Sequence, residues 1–411
     1  MTDKQNKLIP KLRFPEFKND GEWESYAIED LFEVRNGYTP SKSNPEFWEG
    51  GTIPWFRMED IRQNGHILSD SIQHITPQAV KGTGLFPAYS IIVATTATIG
   101  EHALLIADSL ANQQFTFLTK RKSLDDKLDM MFFHQYMFIV DEWCKRNTNF
   151  GGLLSVNMSA FKKLRVPVPS IQEQKRIADF LTSLDNLLAG TKAKLEQLID
   201  HKKGLMQKLF PAPGKTLPEY RFREFRESFD WSFRPGDELF RPIVNKSPDS
   251  ILPILAITQD HGAIPRELID YKVIVSDKSV AGYKVVDIGD FIISLRSFQG
   301  GIEYSRFKGL CSPAYIVFRK KTPNICDDFY RFYFKSDRFV LDLNRNIEGI
   351  RDGKIVSFQH FSEIAIPCPS FDEQMRIAQS LSSIDELINK YSAKLSFLMD
   401  FKKGLLQRVL I

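Results

Sequence analysis

Three short segments of the sequence approach known enzyme motifs, and each lacks a residue that the chemistry requires. Residues 44–47, Asn-Pro-Glu-Phe, are similar to the Asn-Pro-Pro-Phe box of amino-methyltransferases, but Glu46 occupies the second proline position. Residues 213–216, Pro-Gly-Lys-Thr, end like a phosphate-binding loop, whose first glycine would fall at Leu209. Residues 352–354, Asp-Gly-Lys, could end a nuclease metal site, but no upstream acidic partner has a suitable spacing. We therefore expect no catalytic site in this chain.

Composition and cysteine usage describe a soluble globular protein without metal or cofactor motifs. The 411 residues are 43% hydrophobic and 26% charged, which favours two or three domains. The net charge of +4 is too small for a strongly basic polyanion binder, so a nucleic-acid surface would consist of local patches. The four cysteines show no CxxC spacing, and the amino terminus lacks the apolar core of a signal peptide. We expect a cytoplasmic protein without a membrane span.

An internal repeat is the most informative feature of the sequence. Residues 161–210 align without a gap with residues 361–410, and 23 of the 50 positions are identical. A second repeat, at an offset of 208, relates residues 10–17 to 218–225 and Trp23 to Trp231. The regions between these repeats share little sequence. The chain therefore alternates a variable domain and a shared segment, twice.

Each shared segment has the pattern of a long helix. Ser170 and Ser370 each begin a Ser-x-x-Glu capping box after a Pro-x-Pro that cannot continue a helix backwards. Apolar residues then recur in alternating steps of four and three, which predicts a coiled coil. The seam positions are Ile177, Leu181, Leu184, Leu188, Leu195, Leu198, Ile377, Leu381, Ile384, Ile388, Leu395 and Leu398. The helices would pair within one chain, although pairing between chains stays open.

Polar residues also fall on the predicted seam. Thr191, Lys202 and Lys402 occupy seam positions, where polar side chains cost stability but fix register and orientation. The alternative is that both lysines extend into solvent at frayed helix ends. A helix of roughly 38 residues would span about 57 Å, the length of about 17 base pairs.

The variable domains mix short strands with one helix each. Residues 91–95 and 291–294 are strand candidates, and residues 126–146 and 327–344 are helix candidates. Residues 211–218 form a Pro-rich linker. The expected fold class is α+β, with two globular domains separated by two long antiparallel coiled-coil helices and a pseudo-twofold internal repeat.

The chain resembles the specificity subunit of type I restriction-modification systems over essentially its full length. The most specific elements are the paired Pro-x-Pro-Ser-x-x-Glu-Gln segments that lead into Arg-Ile-Ala, at 167–178 and 367–378. Residues 36–40, 51–55 and 111–115 support the resemblance in the first domain. Residues 312–315 do so in the second.

The resemblance implies domain boundaries and partners. The expected regions are a first target recognition domain at 1–160, a central helical region at 161–210, a linker and start of the second half at 211–227, a second target recognition domain at 228–360 and a carboxy-terminal helical region at 361–411. Each recognition domain would read one half of a bipartite site in double-stranded DNA. The helices would fix the unread gap and dock two adenine-N6 methyltransferase subunits. ATP-dependent restriction subunits would join the full complex, and this chain would be non-catalytic.

Residues that read DNA should carry forked donors or cations on loops. In the first domain the candidates are Lys42, Arg57, Thr96, Thr98, Gln113, Gln114 and Asn149. In the second domain they are Arg296, Ser297, Gln299, Arg306, Ser312, Arg351 and Lys354. Two other functions stay open: a coiled-coil adaptor that binds only proteins, and a self-contained nuclease or methyltransferase with an unrecognised site.

Overall fold

The computed structural model describes residues 8–82, 84–149, 154–246, 251–268, 282–295, 297–345 and 356–410. They form two compact units. Unit 1 lies within Met1–Thr191 and Lys394–Ile411, and unit 2 lies within Lys192–Ala393. Each unit thus contains one variable domain, the start of one long helix and the end of the other.

Unit 1 is built mainly from short strands around one long helix. Its strands are β1 (Glu24–Ala27), β2 (Phe32–Asn36), β3 (Ile53–Phe56), β4 (Ile67–Leu68), β5 (His74–Ile75), β6 (Ser90–Ala94), β7 (His102–Leu105), β8 (Leu110–Ala111), β9 (Phe115–Lys120), β10 (Thr148–Asn149), β11 (Ser155–Val156) and β12 (Arg165–Val168). Its helices are α1 (Ile28–Leu31), α2 (Met58–Asn64), α3 (Met130–Arg146), α4 (Met158–Lys162) and the first half of α5 (Ile171–Leu209). The largest sheet has the strand order β2-β9-β6-β7-β4.

Helix α3 covers the five-stranded sheet because its apolar residues fall on one face. The side chain of Asp129 begins the helix by accepting a hydrogen bond from the backbone nitrogen of Phe132 at 2.8 Å. Phe132 and Phe133 are fully buried in a core with Ile91 and Leu118 of the sheet. This packing supports the sheet whose strands β6 and β9 adjoin four of the candidate DNA-reading residues, Thr96, Thr98, Gln113 and Gln114.

Unit 2 has a smaller central sheet. Its strands are β13 (Ser232–Pro235), β14 (Phe240–Ile243), β15 (Leu255–Thr258), β16 (Gly262–Pro265), β17 (Lys284–Val286), β18 (Phe291–Ile293), β19 (Glu303–Tyr304), β20 (Gly309–Cys311), β21 (Ile316–Lys320) and β22 (Ala365–Cys368). Its helices are α6 (Gly236–Leu239), α7 (Ser297–Gly300), α8 (Asp327–Tyr333), α9 (Asp337–Arg345), α10 (Phe358–Ser362) and the first half of α11 (Phe371–Val409). Four strands form the order β14-β21-β18-β19, and phenylalanines from strands and helices fill the core beneath them.

Both long helices begin as the sequence predicts. Of the two hydrogen bonds that each capping box predicts, the one to the serine hydroxyl forms, and the one from the glutamate carboxylate back to the cap does not. The hydroxyl of Ser170 accepts a bond from the backbone nitrogen of Glu173 at 3.3 Å, and Ser370 does the same for Glu373. The Glu173 carboxylate does not turn back to the cap. It accepts two bonds of 2.7 Å from Arg13, because the buried guanidinium needs an anionic partner.

Within each unit the two long helices lie antiparallel. In unit 1, Arg13 binds Glu173 near the start of α5, and the neighbouring Leu12 nitrogen donates to the Arg408 carbonyl near the end of α11. Further along, Lys402 Nζ donates to Asp185 at 2.5 Å. In unit 2, Lys202 forms the corresponding ion pair with Asp385 at 2.6 Å. Both seam lysines are therefore paired rather than extended into solvent.

The fold class expected from the sequence is confirmed. The predicted apolar seam residues are buried or partly buried in the structure. Seven seam positions are buried: Ile177, Leu181, Leu184, Leu198, Ile377, Leu381 and Leu398. The other five are partly buried: Leu188, Leu195, Ile384, Ile388 and Leu395. Thr191 is buried as well, and its hydroxyl donates to the Leu187 carbonyl at 2.7 Å. The four cysteines are free thiols. Among the described helices, none combines the length and apolar character that a bilayer span requires.

Candidate nucleic-acid interface

The ends of three strands meet at one side of the unit 1 sheet. Asn36, the last residue of β2, pairs with Thr116 of β9, and Val93 of β6 pairs with the same threonine. Because neighbouring strands run antiparallel, the residues after β2 and β6 and those before β9 are adjacent in space. We call this the first edge and define it as residues 36–39, 95–98 and 112–116.

The first edge brings four sequence-predicted residues together, and a fifth, Asn149, lies beside it. The carbonyl oxygen of Gln114 accepts a bond from the Thr95 nitrogen at 3.1 Å, which joins two of the loops. The Gln113 side chain is exposed and accepts a bond from the Thr39 hydroxyl at 2.5 Å. The remaining three lie around Ser155 of the β10–β11 hairpin: Thr96 bridges to it, Asn149 pairs with it, and Thr98 follows in the same turn as Thr96.

Arg57 and Lys42 lie next to this edge. Arg57 follows β3, where the Phe56 carbonyl accepts a bond from the Asn112 nitrogen at 3.1 Å. The Arg57 guanidinium is 3.3 Å from the Glu59 carboxylate and lies over the Trp55 ring. Contacts within the protein therefore occupy part of its hydrogen-bonding capacity. Lys42 is exposed in the loop that follows Thr39. The seven predicted residues of unit 1 thus occur in neighbouring loops, which local sequence did not require.

Sequence reasoning did not name Asn36 and Thr39 of the first edge as candidates, nor Lys81 beside it. Asn36 is exposed, and its Oδ1 accepts a bond from the Thr116 hydroxyl at 2.9 Å. The ammonium of exposed Lys81 lies 4.4 Å from the centre of the Tyr38 ring. The signal was Gly37: a side chain there would meet the Ala111 carbonyl at 2.3 Å, so this glycine lets two loops approach closely.

The corresponding strand ends of unit 2 form a second edge, which we define as residues 244–246, 294–295 and 312–316. Ser312 lies on it, and its hydroxyl accepts a bond from the Ala314 nitrogen at 3.3 Å. Gln299 is exposed in α7, after the strand that ends at this edge. Ser297 is buried and its hydroxyl accepts a bond from the Ser294 nitrogen at 2.9 Å, so it is occupied in a local turn.

The other unit 2 candidates do not join the second edge. Arg306 is exposed but follows Tyr304, which pairs with Phe291 at the start of β18, and it therefore lies at the opposite end of the sheet. Arg296, Arg351 and Lys354 lie outside the described residues. A DNA-reading role for Arg306 would need a surface other than the second edge.

The enzyme-like segments have structural roles where they are described. Asn44 caps a short helical turn by accepting a bond from the Glu46 nitrogen at 3.1 Å. Gly214 lies in a turn with a positive φ of 77°, a conformation that favours glycine. Residues 352–354 lie outside the described residues. Within the described part of the chain, His, Cys, Asp and Glu side chains form no cluster of three or more that could hold a metal ion.

A buried polar cluster lies in unit 1, between β7 and α3. His102 Nδ1 and Asp141 Oδ2 are 2.5 Å apart, and the His134 ring lies 5.1 Å from the His102 ring. Burial lowers the pKa of both histidines to about 3 and raises the pKa of Asp141 to about 8. These groups face the interior of the domain, so they affect its stability rather than a surface ligand.

The sequence model of the type I restriction modification DNA specificity domain matches residues 20–199 and 251–396. The chain belongs to this family. It is 49% identical over 162 residues to the specificity subunit of the EcoprrI type I restriction enzyme of Escherichia coli, a match that covers 39% of this chain and 40% of that protein. The match therefore spans less than half of the E. coli subunit.

Two further similarities extend over nearly the whole chain. The MjaVIII specificity subunit of Methanocaldococcus jannaschii is 24% identical over 401 residues, which cover 92% of this chain and 88% of that one. The crystal structure of a type I restriction-modification S subunit from M. genitalium superposes with a TM-score of 0.61 at 16% identity, over 98% of this chain and 99% of that chain. At this identity the structural match supports the fold alone. The family model is described as a DNA specificity domain.

Proposed function

We propose that this chain is the non-catalytic DNA-reading subunit of a type I restriction-modification complex, and that each unit reads one half of a bipartite target. The proposal is supported mainly by the first and second edges. They are polar or exposed surfaces at strand ends, one in each unit, and the helical segments that support them are repeated in the sequence. Strand-end loops are common binding sites because they are exposed while the sheet fixes their geometry. Cations adjoin both edges: Lys42, Arg57 and Lys81 in unit 1, and Lys246 and Lys284 in unit 2. Phosphate contacts require such cations.

The long helices would set the distance between the two half-sites. Each contains 39 residues, which corresponds to about 58 Å of helix. In this proposal the number of residues in the two helices determines the unread gap. Inserting one heptad into both helices should lengthen the gap without changing the bases that are read.

The same helices would dock two adenine-N6 methyltransferase subunits, to which ATP-dependent restriction subunits add in the full complex. Support comes from apolar side chains on the outside of the helices, where a monomer gains nothing from them. In unit 1 these are Leu187, Phe397 and Phe401, and the two phenylalanine rings stack with centroids 6.0 Å apart. Heptad geometry puts Leu187 and Phe401 on one flank of the helix pair.

The proposal is tested by exchanging domains in the assembled complex. The chain is co-expressed with methyltransferase subunits, and the methylated adenines are mapped by sequencing genomic DNA. Replacing residues 20–160 with the domain of a relative should change one half of a split motif and leave the other half intact. Replacing residues 232–360 is the matched control and should change the other half. Alteration of both halves by either exchange, or methylation without a split motif, would contradict two independent readers.

A further inference from the structure

Three side chains form a hydrogen-bonded chain at the first edge. The Thr95 and Thr116 hydroxyl oxygens are 2.9 Å apart, and Thr116 donates to Asn36 Oδ1 at 2.9 Å. Both threonines are buried, whereas Asn36 is exposed. Because Thr116 lies on β9, which pairs with a strand on each side, the exposed amide is attached to a rigid support. Such support keeps a reading group in one orientation.

The hydrogen bond fixes which end of the Asn36 amide faces solvent. Oδ1 accepts the bond from Thr116, so the Nδ2 donors are the part of this exposed amide that remains for a ligand, and among the described residues they reach no acceptor. Gln113 repeats this arrangement at the neighbouring loop, where its Oε1 accepts from the Thr39 hydroxyl at 2.5 Å. The first edge therefore presents oriented amide donors, and Oδ1 keeps a second lone pair for another bond.

The corresponding positions of unit 2 are apolar. The β2–β9 pair of unit 1 corresponds to β14–β21 of unit 2, and the β6–β9 pair corresponds to β18–β21. In this correspondence Val244 is equivalent to Asn36, Ile316 to Thr116 and Leu295 to Thr95. Val244 is 78% exposed and Leu295 is 49% exposed. Lys246 and Lys284 bridge beside them, and Lys284 Nζ donates to the Tyr315 carbonyl at 2.5 Å. The second edge thus combines exposed aliphatic groups with local positive charge.

Base edges in the major groove distinguish these two chemistries. An asparagine amide pairs with adenine through N7 and N6, and purine N7 accepts from its donor. An aliphatic side chain instead contacts the C5-methyl group of thymine. Cations beside it neutralise backbone phosphates irrespective of the base.

We propose that Asn36 reads a purine N7 in the first half-site, positioned by Thr116 and Thr95, and that Val244 and Leu295 contact a thymine methyl group in the second. This inference rests on the proposed function and names the base features that each edge takes. The matching positions of a duplicated frame therefore apply different chemistry: a hydrogen bond in one half-site and an apolar contact in the other.

Modified bases test both parts in the complex with methyltransferase subunits. Once methylation mapping gives the split motif, binding is measured on duplexes with 7-deazapurines in the first half-site or deoxyuridine for thymine in the second. Both changes should weaken binding by about 10-fold, and each should do so only in its own half-site. A duplex with the two modifications exchanged between half-sites is the control. If neither modification weakens binding, the inference is overturned. If methylation mapping finds no split motif, the proposed function itself is overturned.

Side-chain exchanges provide the matched test. N36V should lose sensitivity to 7-deazapurines and relax its half-site by about 10-fold, and V244N should lose sensitivity to deoxyuridine. The unaltered half-site of each variant reports that the complex has folded and assembled.

The positioning role of Thr116 needs a separate pair of variants. T116V keeps the volume but removes the hydroxyl, so it should relax the same base pair as N36V, whereas T116S should retain discrimination. Equal behaviour of T116V and T116S would assign Thr116 a packing role and overturn the positioning step.

Discussion

The supports of the two units match closely, while their edges do not. Arg13 binds Glu173 at 2.7 Å in unit 1, and Arg221 binds Glu373 at 2.8 Å in unit 2. The next residues along the two helices, Gln174 and Gln374, each donate to the carbonyl of a preceding proline, at 2.8 and 2.9 Å. Against this, an amide–hydroxyl chain at the first edge becomes three aliphatic residues at the second. The repeated contacts hold each domain on its helices, and the divergent positions are free to meet different ligands.

A smaller difference occurs where each domain contacts the helix pair. Gln135 of α3 donates to Asp185 at 2.8 Å, whereas in unit 2 Arg331 donates to Asp385 at 3.1 Å. Asp385 therefore has two cationic partners, since Lys202 binds it as well. At these equivalent helix positions, Asp185 accepts a bond from a neutral amide of its domain, whereas Asp385 accepts one from a charged guanidinium of its domain. This difference allows the two supports to be tested separately.

The largest expected effect comes from breaking the buried pairs at the helix starts. Glu173→Ala would leave the Arg13 guanidinium buried without its partner and should destabilise unit 1 by about 3–5 kcal/mol. Glu373→Ala should do the same in unit 2. Chemical denaturation with hydrogen-exchange readout of α3 and α8 separates the units. Glu16→Ala, which removes an exposed partner of Arg176, is the control and should change little. Equal loss in both units from one substitution would contradict independent supports.

The outer faces of the helices should differ in partner binding. Phe397 and Phe401 of unit 1 correspond to Gln197 and His201 of unit 2. Phe397→Gln combined with Phe401→His should weaken binding of one methyltransferase subunit by about 10-fold, because apolar area would no longer be buried. Native mass spectrometry of the complex with increasing methyltransferase measures this, with Gln407→Ala as a control on the same helix. Unchanged binding of both subunits would place the docking surface elsewhere.

Charge reversal at the seam should have a smaller effect. Asp185→Lys places a like charge against Lys402 and should cost about 1 kcal/mol, which Lys402→Asp in the same chain should partly restore. Asp385→Lys should cost more, because Lys202 loses its partner and Arg331 loses one of its two carboxylate partners. A double-mutant cycle from denaturation midpoints measures both couplings. Failure of Lys402→Asp to restore stability would show that the seam lysine is held by packing alone.

The smallest expected difference is in pH dependence. The pKa of His134 is about 3 in the fold against an ordinary value of 6.5, so unit 1 loses stability as pH falls from about 6.5. His102 acts in the same direction, and Asp141, with its raised pKa, opposes it in part. Burial raises the pKa of Glu303 to about 7 from 4.5, so unit 2 loses stability as pH rises through that range.

Denaturation at about pH 5 and about pH 7 measures these opposite trends. His134→Phe should reduce the loss in unit 1 on acidification. Glu303→Gln should reduce the dependence of unit 2, and His74→Gln, at a partly exposed site, is the control. Parallel trends in the two units would contradict the assignment.

The long helices could be predicted because their pattern is local and repeated, and they extend from Ile171 and Phe371 just after the expected serines. The single helix expected at 327–344 is instead α8 and α9. One part of the break is tertiary, because the Phe334 carbonyl accepts a bond from the distant Ile302 nitrogen, which no nearby residue signals. The other part is local: Ser336 begins the second helix by accepting a bond from the Phe339 nitrogen, a serine cap that the expectation of a single helix overlooked.

The candidate site was predictable in type but not in detail. Polar residues after strands were found, because loops that follow strands are exposed. Asn36 was missed because its importance depends on the pairing of β2 with β9, whose residues are 80 positions apart in the sequence. Glu173 was assigned to its own cap because its true partner, Arg13, lies 160 positions away. Strand register and distant ion pairs are set by the whole fold.

The composition of unit 1 has a consequence for synthesis on the ribosome. Its core includes Leu405, Leu406 and Val409, which are translated after every residue of unit 2. Unit 2 is continuous in the sequence and can fold as it emerges, whereas the domain that is made first stays open until the final helix arrives. The nascent chain therefore completes its second unit before its first, and it exposes an unfinished apolar surface throughout the interval.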